Sequence, residues 1–186
     1  HSMLNDKRIL GIIPARGGSK RVPFKNITLF RGKPLIQWAL EQAQASRYID
    51  KIVVSTEDDA IAIYAKGDML LRRPAFLAED KVPTEAVVVH TLYRTEGFDY
   101  AVVLQPTSPL RSVEDIDRCI EIAVQQDGAS GLTGCVSYNE YGKRNGAVYV
   151  CNVKHFMQFL SFDATHHYEM PNERSLDIDY AWQFKE

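Results

Sequence analysis

The sequence predicts an α/β fold: a three-layer arrangement in which a mostly parallel sheet is covered by helices on both faces. Two observations carry this. Short apolar runs alternate with amphipathic segments of 10 to 15 residues, the pattern of repeated strand–helix–strand units. The apolar runs also lack the polar alternation of a strand wetted on one side, so both sheet faces need cover. At 186 residues, with 45% hydrophobic and 25% charged residues, the chain is sized for one domain over 4–186.

The first strand is expected at 9–13, where an apolar run stops at Pro14. Pro34 suits the first position of a helix over 34–46, because its missing N–H is one that a helix start leaves unpaired anyway. A strand at 51–55 leads to a helix over 57–66, for which Thr56 and Asp59 have capping-box spacing, and a short strand follows at 69–71. Thr84 is expected to cap a helix over 85–95. The strand 100–104 runs into a helix over 113–126, started by Ser112 with Asp115. Strands at 132–138 and 147–151 complete the sheet, and Gly67, Gly97 and Gly128 stand where glycine stops belong. His166-His167 has no metal-ligand partner at useful spacing and is expected on the surface.

Several function classes are disfavoured at once. The three cysteines form no CxxC pair and are odd in number, which argues against a disulfide framework and for a reducing, cytoplasmic setting. No apolar run approaches the roughly 18 residues a membrane span needs, and the N-terminus lacks the apolar stretch of a signal peptide. His1-Ser2-Met3 is read as an expression remnant ahead of a native start at Met3 and is left out of fold reasoning. The net charge of −2 hides an asymmetry: residues 7–40 hold eight basic side chains and no acidic one, leaving 14 basic against 24 acidic elsewhere. A local basic patch on an acidic chain points to a small anionic ligand rather than to nucleic acid, which needs a broad positive face.

That patch is the loop after the first strand, "PARGGSKRVPFKN". It matches neither GxGxxG nor the GxxxxGK spacing of a P-loop. Even so, Gly17 and Gly18 allow positive φ and close backbone approach, and Arg16, Lys20 and Lys25 can neutralise phosphate oxygens. A solvated basic turn is the alternative. The second motif, "LQPTSPLR", follows the strand at 100–104 and presents Gln105, Thr107, Ser108 and Arg111 from a loop stiffened by two prolines. It reads either as a substrate loop or as a plain connection ending in the Ser112 cap. In "SLDIDYAWQF", Asp177 and Asp179 are two apart, so an extended backbone projects both carboxylates to one side, a pattern suited to Mg²⁺ shared with substrate phosphates. Asp179 capping a helix from Tyr180 explains it equally well. In "KRNGAVYV", Arg144 and Asn145 are site residues or part of a hairpin turn at Asn145-Gly146.

In order, ARGGSK…KN, RPA, LQPTSPLR, RNGA and LDID resemble the acylneuraminate cytidylyltransferases, over about residues 9–186. The resemblance implies the Rossmann-like fold of nucleotide-diphospho-sugar transferases. It implies transfer of CMP from CTP to the anomeric hydroxyl of a nine-carbon α-keto acid sugar, with Mg²⁺ present and pyrophosphate released. By position, Arg16, Gly17, Gly18, Ser19, Lys20, Lys25 and Asn26 would hold the CTP phosphates. Arg73, Val82 and Thr84 would contact the nucleotide, with Thr84 and the Val82 backbone reading cytosine. Gln105, Thr107, Ser108, Arg111, Arg144 and Asn145 would face the sugar acid. Asp177 and Asp179 would hold the metal, and Arg16, Lys25 and this pair would carry catalysis. Two departures stand out. The arm around 136–144, which family members use in dimerisation, is short or missing here, although the resemblance still implies a homodimer. Arg21 stands where sialic acid enzymes often have glycine, as in bacterial relatives acting on pseudaminic or legionaminic acid. The competing readings are another sugar nucleotidyltransferase, such as a KDO cytidylyltransferase, and a non-catalytic sugar-nucleotide-binding protein.

Overall fold

The computed structural model describes residues 4–186, so the reading of His1-Ser2-Met3 lies outside the described residues. In chain order the elements begin with β1 (Ile9–Pro14), a small hairpin of β2 (Leu29–Phe30) and β3 (Lys33–Pro34), and α1 (Leu35–Ala45). There follow β4 (Lys51–Thr56), α2 (Asp59–Ala62), β5 (Leu70–Arg72), α3 (Thr84–Arg94) and β6 (Tyr100–Val103). The last part holds α4 (Val113–Gln125), β7 (Cys135–Tyr138), β8 (Arg144–Asn152), α5 (Val153–Phe159) and β9 (His166–Glu169).

Seven strands form one sheet in the order β5-β4-β1-β6-β8-β7-β9. Four neighbouring pairs are parallel, and β8 alone runs antiparallel, to β6 and β7. The predicted mostly parallel sheet is therefore present. Alternation along β1 explains the two covering layers. Ile9 and Ile13 pack with Ile36 and Leu40 of α1 and Ile116 and Ile120 of α4, while Leu10 and Ile12 pack with Val88 and Leu92 of α3 and Phe156 of α5. All four β1 side chains are fully buried. Each such side chain contributes about 1.5–3 kcal/mol by leaving water.

Topology decides where the loops meet. The chain leaves β1 for β4 and β5 on one side, then returns to β6 on the other, which opens a switch point between the carboxyl ends of β1 and β6. Because Tyr149 pairs with Val103 and Asn152 with Tyr100, the start of β8 lies beyond the carboxyl end of β6, at the same sheet edge. Parallel pairing of β9 with β7 brings residues 170–179 back to that edge as well.

Several local expectations are corrected. Pro34 lies in β3 and precedes α1, so it is not the first helical residue. The helix expected over 57–66 shrinks to α2, and its cap is Asp58, because the Thr56 hydroxyl accepts from the Asp58 N–H at 3.1 Å and holds the strand end. Thr84 is the first residue of α3, after Pro83, and makes no cap. The Ser112–Asp115 capping box is present, with reciprocal bonds of 2.8 and 3.1 Å. No turn forms at Asn145-Gly146. The turn lies at 139–143, where the Asn139 side chain accepts from Tyr141 and Lys143 N–H, and Asn145 and Gly146 belong to β8. His166 and His167 lie in β9 and stay at the surface as expected: His167 is exposed and packs on Tyr138, and half-buried His166 has Nε2 2.8 Å from the Gln126 carbonyl. The hairpin, α5 and β9 have too short or too polar a pattern to stand out in the sequence.

Candidate active site

The loop after β1 is built on its contacts with the loop after β4. Neither Gly17 nor Gly18 has a positive φ. Gly17 is required for another reason: a Cβ there overlaps Asp58 Oδ2 and lies 2.6 Å from Asp58 Cβ and Cγ. Its N–H donates to both Glu57 carboxylate oxygens, at 3.0 and 3.1 Å. A Cβ at Gly18 meets nothing within 4 Å. Asn26 closes the loop by donating to the Arg16 carbonyl at 2.9 Å, and its buried Oδ1 has no partner. Arg16 is paired with Asp80 and donates to the Ala78 carbonyl, and Lys20 lies 3.4 Å from the same carboxylate. Thus Asp80 answers part of the basic patch from across the cleft.

A cleft opens between this loop and the carboxyl ends of β5 and β6. Arg16, Lys25, Asn26, Arg73, Val82, Thr84, Gln105 and Thr107 all line it. Arg73 extends from the end of β5 and is buried, with its guanidinium donating to the Ser55 and Leu77 carbonyls; burial pulls it down to about 10, and Nε has no partner. The cleft continues into a concavity of about 390 Å³ that Arg16, Ser19, Lys20, Lys25 and Asp179 share. A neighbouring concavity is lined by Gly18, Ser19 and Lys20 together with Asp80.

The Asp177–Asp179 segment forms the far wall. Ile178 is fully buried against Phe30 and Leu35, and Asp179 beside it lines the concavity. Ile178 N donates to the Thr107 carbonyl at 2.8 Å, and the Thr107 hydroxyl bonds Asp177. Burial lifts the Asp177 carboxyl to about 6, the like charge of Asp179 adds to this, and Thr107 and Lys25 oppose it. Lys25 is lowered from the ordinary lysine value by burial, against the attraction of Asp179 and Asp177. Gly146, next to Asp177 Oδ2, has φ +76°, a backbone conformation that other residues rarely adopt. Two oxygen donors facing a cleft are the chemistry a hard divalent cation takes, with substrate oxygens and water completing its shell. Among the described residues no cluster of three or more His, Cys, Asp or Glu forms a self-sufficient metal site.

Other predicted site residues lie elsewhere. Ser108, Arg111 and Asn145 are in the interior. Arg111 donates to Gln42 Oε1 at 2.8 Å and to the Ala147 carbonyl at 2.7 Å, and burial pulls it down to about 9. Asn145 bonds the Ser137 and Ser175 hydroxyls, tying β8 to the approach of the Asp177 segment. Arg144 stands at the outer end of β8, with its guanidinium on the Phe162 carbonyl and Asp163. Burial raises the Tyr149 phenol, against the pull of Arg144. The sequence reading passed over Glu57, Asp58 and Asp80, the acidic groups facing the basic loop. The position of Glu57 and Asp58 directly after a strand, at the carboxyl edge, was the signal for two of them.

The cytidylyltransferase family model matches residues 10–156. The N-acylneuraminate cytidylyltransferase of Escherichia coli is 30% identical over 213 residues, covering 96% of this chain and 51% of that one. The CMP-N,N'-diacetyllegionaminic acid synthase of Legionella pneumophila is 41% identical over 125 residues, covering 62% and 53%. The pseudaminic acid cytidylyltransferase of Campylobacter jejuni is 30% identical over 187 residues, covering 93% and 79%. The chain therefore spans about half the length of the first two relatives. Among solved structures, a CMP:2-keto-3-deoxy-manno-octonic acid synthetase complexed with CTP has the same fold, with a TM-score of 0.75 at 16% identity over 96% of this chain and 95% of that one.

Proposed function

The chain belongs to the cytidylyltransferase family, and from that we propose that it transfers CMP from CTP to a nine-carbon α-keto acid sugar of the sialic, legionaminic or pseudaminic type, releasing pyrophosphate. The observation that carries this is the meeting of the basic loop with Arg73 and Thr84 on one side and Asp179 on the other at the switch point of the sheet, with Lys25 under the attraction of both Asp179 and Asp177. The relatives' names support the acidic sugar. A KDO-type acid is the second reading, supported by the fold of the CTP-bound synthetase.

In this reading Arg73, Val82 and Thr84 seat the nucleotide. Arg16, Ser19, Lys20 and Lys25 hold the triphosphate, with Lys25 placed to answer the charge that builds on the departing pyrophosphate. Asp177 and Asp179 would hold a divalent cation, Mg²⁺, which when bound neutralises phosphoryl charge. Gln105 and Thr107 line the cleft where the sugar acid would enter, and Arg144 would face it from the outer end of β8. The working form in this reading is a cytoplasmic homodimer of single-domain subunits. Among the described residues no helix is long and apolar enough to cross a membrane.

Pyrophosphate release from CTP and Mg²⁺, measured across sialic, legionaminic, pseudaminic and KDO acids, tests the reading. One of the nine-carbon acids should be turned over, and Asp177→Asn with Asp179→Asn should abolish the metal dependence. CTP binding with no turnover of any acid would instead mark a sugar-nucleotide-binding protein.

A further inference from the structure

We propose that Gln183 is the positioning residue that sets the separation and direction of the Asp177 and Asp179 carboxylates, and so the strength with which they hold a divalent cation. This rests on the metal reading of that pair. The middle of the segment is anchored by Ile178, whose side chain is buried and whose N–H meets the Thr107 carbonyl. That anchor leaves the backbone on either side of Ile178 to be held by something else. Gln183 holds both sides at once. Its Nε2 donates to the Asp177 carbonyl at 3.0 Å, and its Oε1 accepts from the Asp179 N–H at 2.7 Å and the Tyr180 N–H at 2.8 Å. One amide therefore closes a loop around the two carboxylates.

The chemistry requires an amide of this length. A carboxylate accepts but cannot donate, so it would leave the Asp177 carbonyl unpaired and bring a third negative charge to the pair. Methionine matches the length and makes none of the three bonds. The approach to the segment is tied independently. Arg174 forms a bidentate pair with Asp115, both bonds at 3.0 Å, and Ser175 receives the Asn145 amide at 3.0 Å. Loss of Gln183 thus loosens the carboxylates while the chain before them stays in place.

Mn²⁺ alone, titrated into the protein without CTP and followed by the resonance signal of the free ion, reads this without turnover. Gln183→Met should raise the Mn²⁺ dissociation constant about 10-fold, the scale of effect seen when a group behind a metal ligand is removed. Gln183→Asn, too short to reach all three partners, should fall between, and it carries the test if the methionine variant does not fold. The melting temperature without metal and the CTP affinity in EDTA should stay close to those of the parent. Dissociation constants within twofold of the parent in the folded variants overturn the positioning role. Asp177→Asn separates the two ideas: Mn²⁺ binding that survives it overturns the metal reading and this one together, whereas binding lost there and unchanged in the Gln183 variants overturns the positioning role alone.

Discussion

Two adjacent glycines in the basic loop should respond oppositely to alanine. At Gly17 the added Cβ lies 2.6 Å from Asp58 Cβ and Cγ. Rotating the Asp58 side chain moves its carboxylate but not its Cβ, so the two backbones must separate. The carboxylate is also committed, since Oδ1 caps α2 by accepting from the Ala60 N–H at 2.7 Å. Overpacking costs about 1–3 kcal/mol and a disturbed cap about 1 kcal/mol more, so Gly17→Ala should lose about 2–4 kcal/mol. For a chain of this size that lowers the melting temperature by about 5–15 °C. A loop moved by about 1 Å carries Arg16 and Ser19 with it, and kcat/KM for CTP should fall about 100-fold in a pyrophosphate-release assay. Gly18→Ala meets open space and should stay within about 0.5 kcal/mol of the parent. Asp58→Gly removes all the clashing atoms at a cost of only a few tenths of a kcal/mol in capping, roughly, so the Gly17→Ala/Asp58→Gly double variant should recover most of the loss. Equal behaviour of the two single alanine variants, or no recovery in the double variant, would refute the steric argument.

Three further outcomes follow from the same geometry. Asp115 is fully buried, and although burial raises its carboxyl, the bonds from Arg174, Ser112 and Tyr168 outweigh this and hold it below the usual 3.8. Its stabilising contribution is therefore complete above about pH 4 and is lost as pH falls through its folded value. Asp115→Asn should lower stability by about 3 kcal/mol at pH 7, and the gap between the two melting curves should narrow only below about pH 4. Asp80→Ala frees Arg16 and Lys20 from their counter-ion and should lower the KM for CTP; an unchanged KM would show that Asp80 does not compete with phosphate. Asn145→Ala takes away the acceptor of the buried Ser137 hydroxyl and of the Ala147 N–H and should cost about 2–3 kcal/mol in denaturant unfolding, whatever it does to sugar binding.

The strands at 9–13, 51–55 and 100–104 were legible because each is a local apolar run closed by a turn residue, and the Ser112–Asp115 cap because its signal spans four residues. Gly17 was legible as a special position, but for the wrong reason. Its glycine answers a side chain 41 positions away, and no local pattern reports that approach. The Asn145-Gly146 pair misled in the same way. Asn-Gly favours a hairpin turn in isolation, but Asn145 is drawn into β8 by the buried Ser137 hydroxyl, and Asn139 makes the turn instead.

What the sequence determined alone is the layered α/β plan, the basic loop after the first strand, and the paired spacing of Asp177 and Asp179. All three follow from periodicity, charge and alternation over a few residues. Only the tertiary structure decided which of these share a cleft. The antiparallel entry of β8 and the parallel return of β9 bring the last twenty residues to the carboxyl edge of strands formed near the chain's start. The same packing sent Arg111 into the core, placed Asp80 against Arg16, and wrapped Gln183 around the two carboxylates. Those contacts join residues far apart in the chain, and their energies depend on burial that exists only once the sheet has closed.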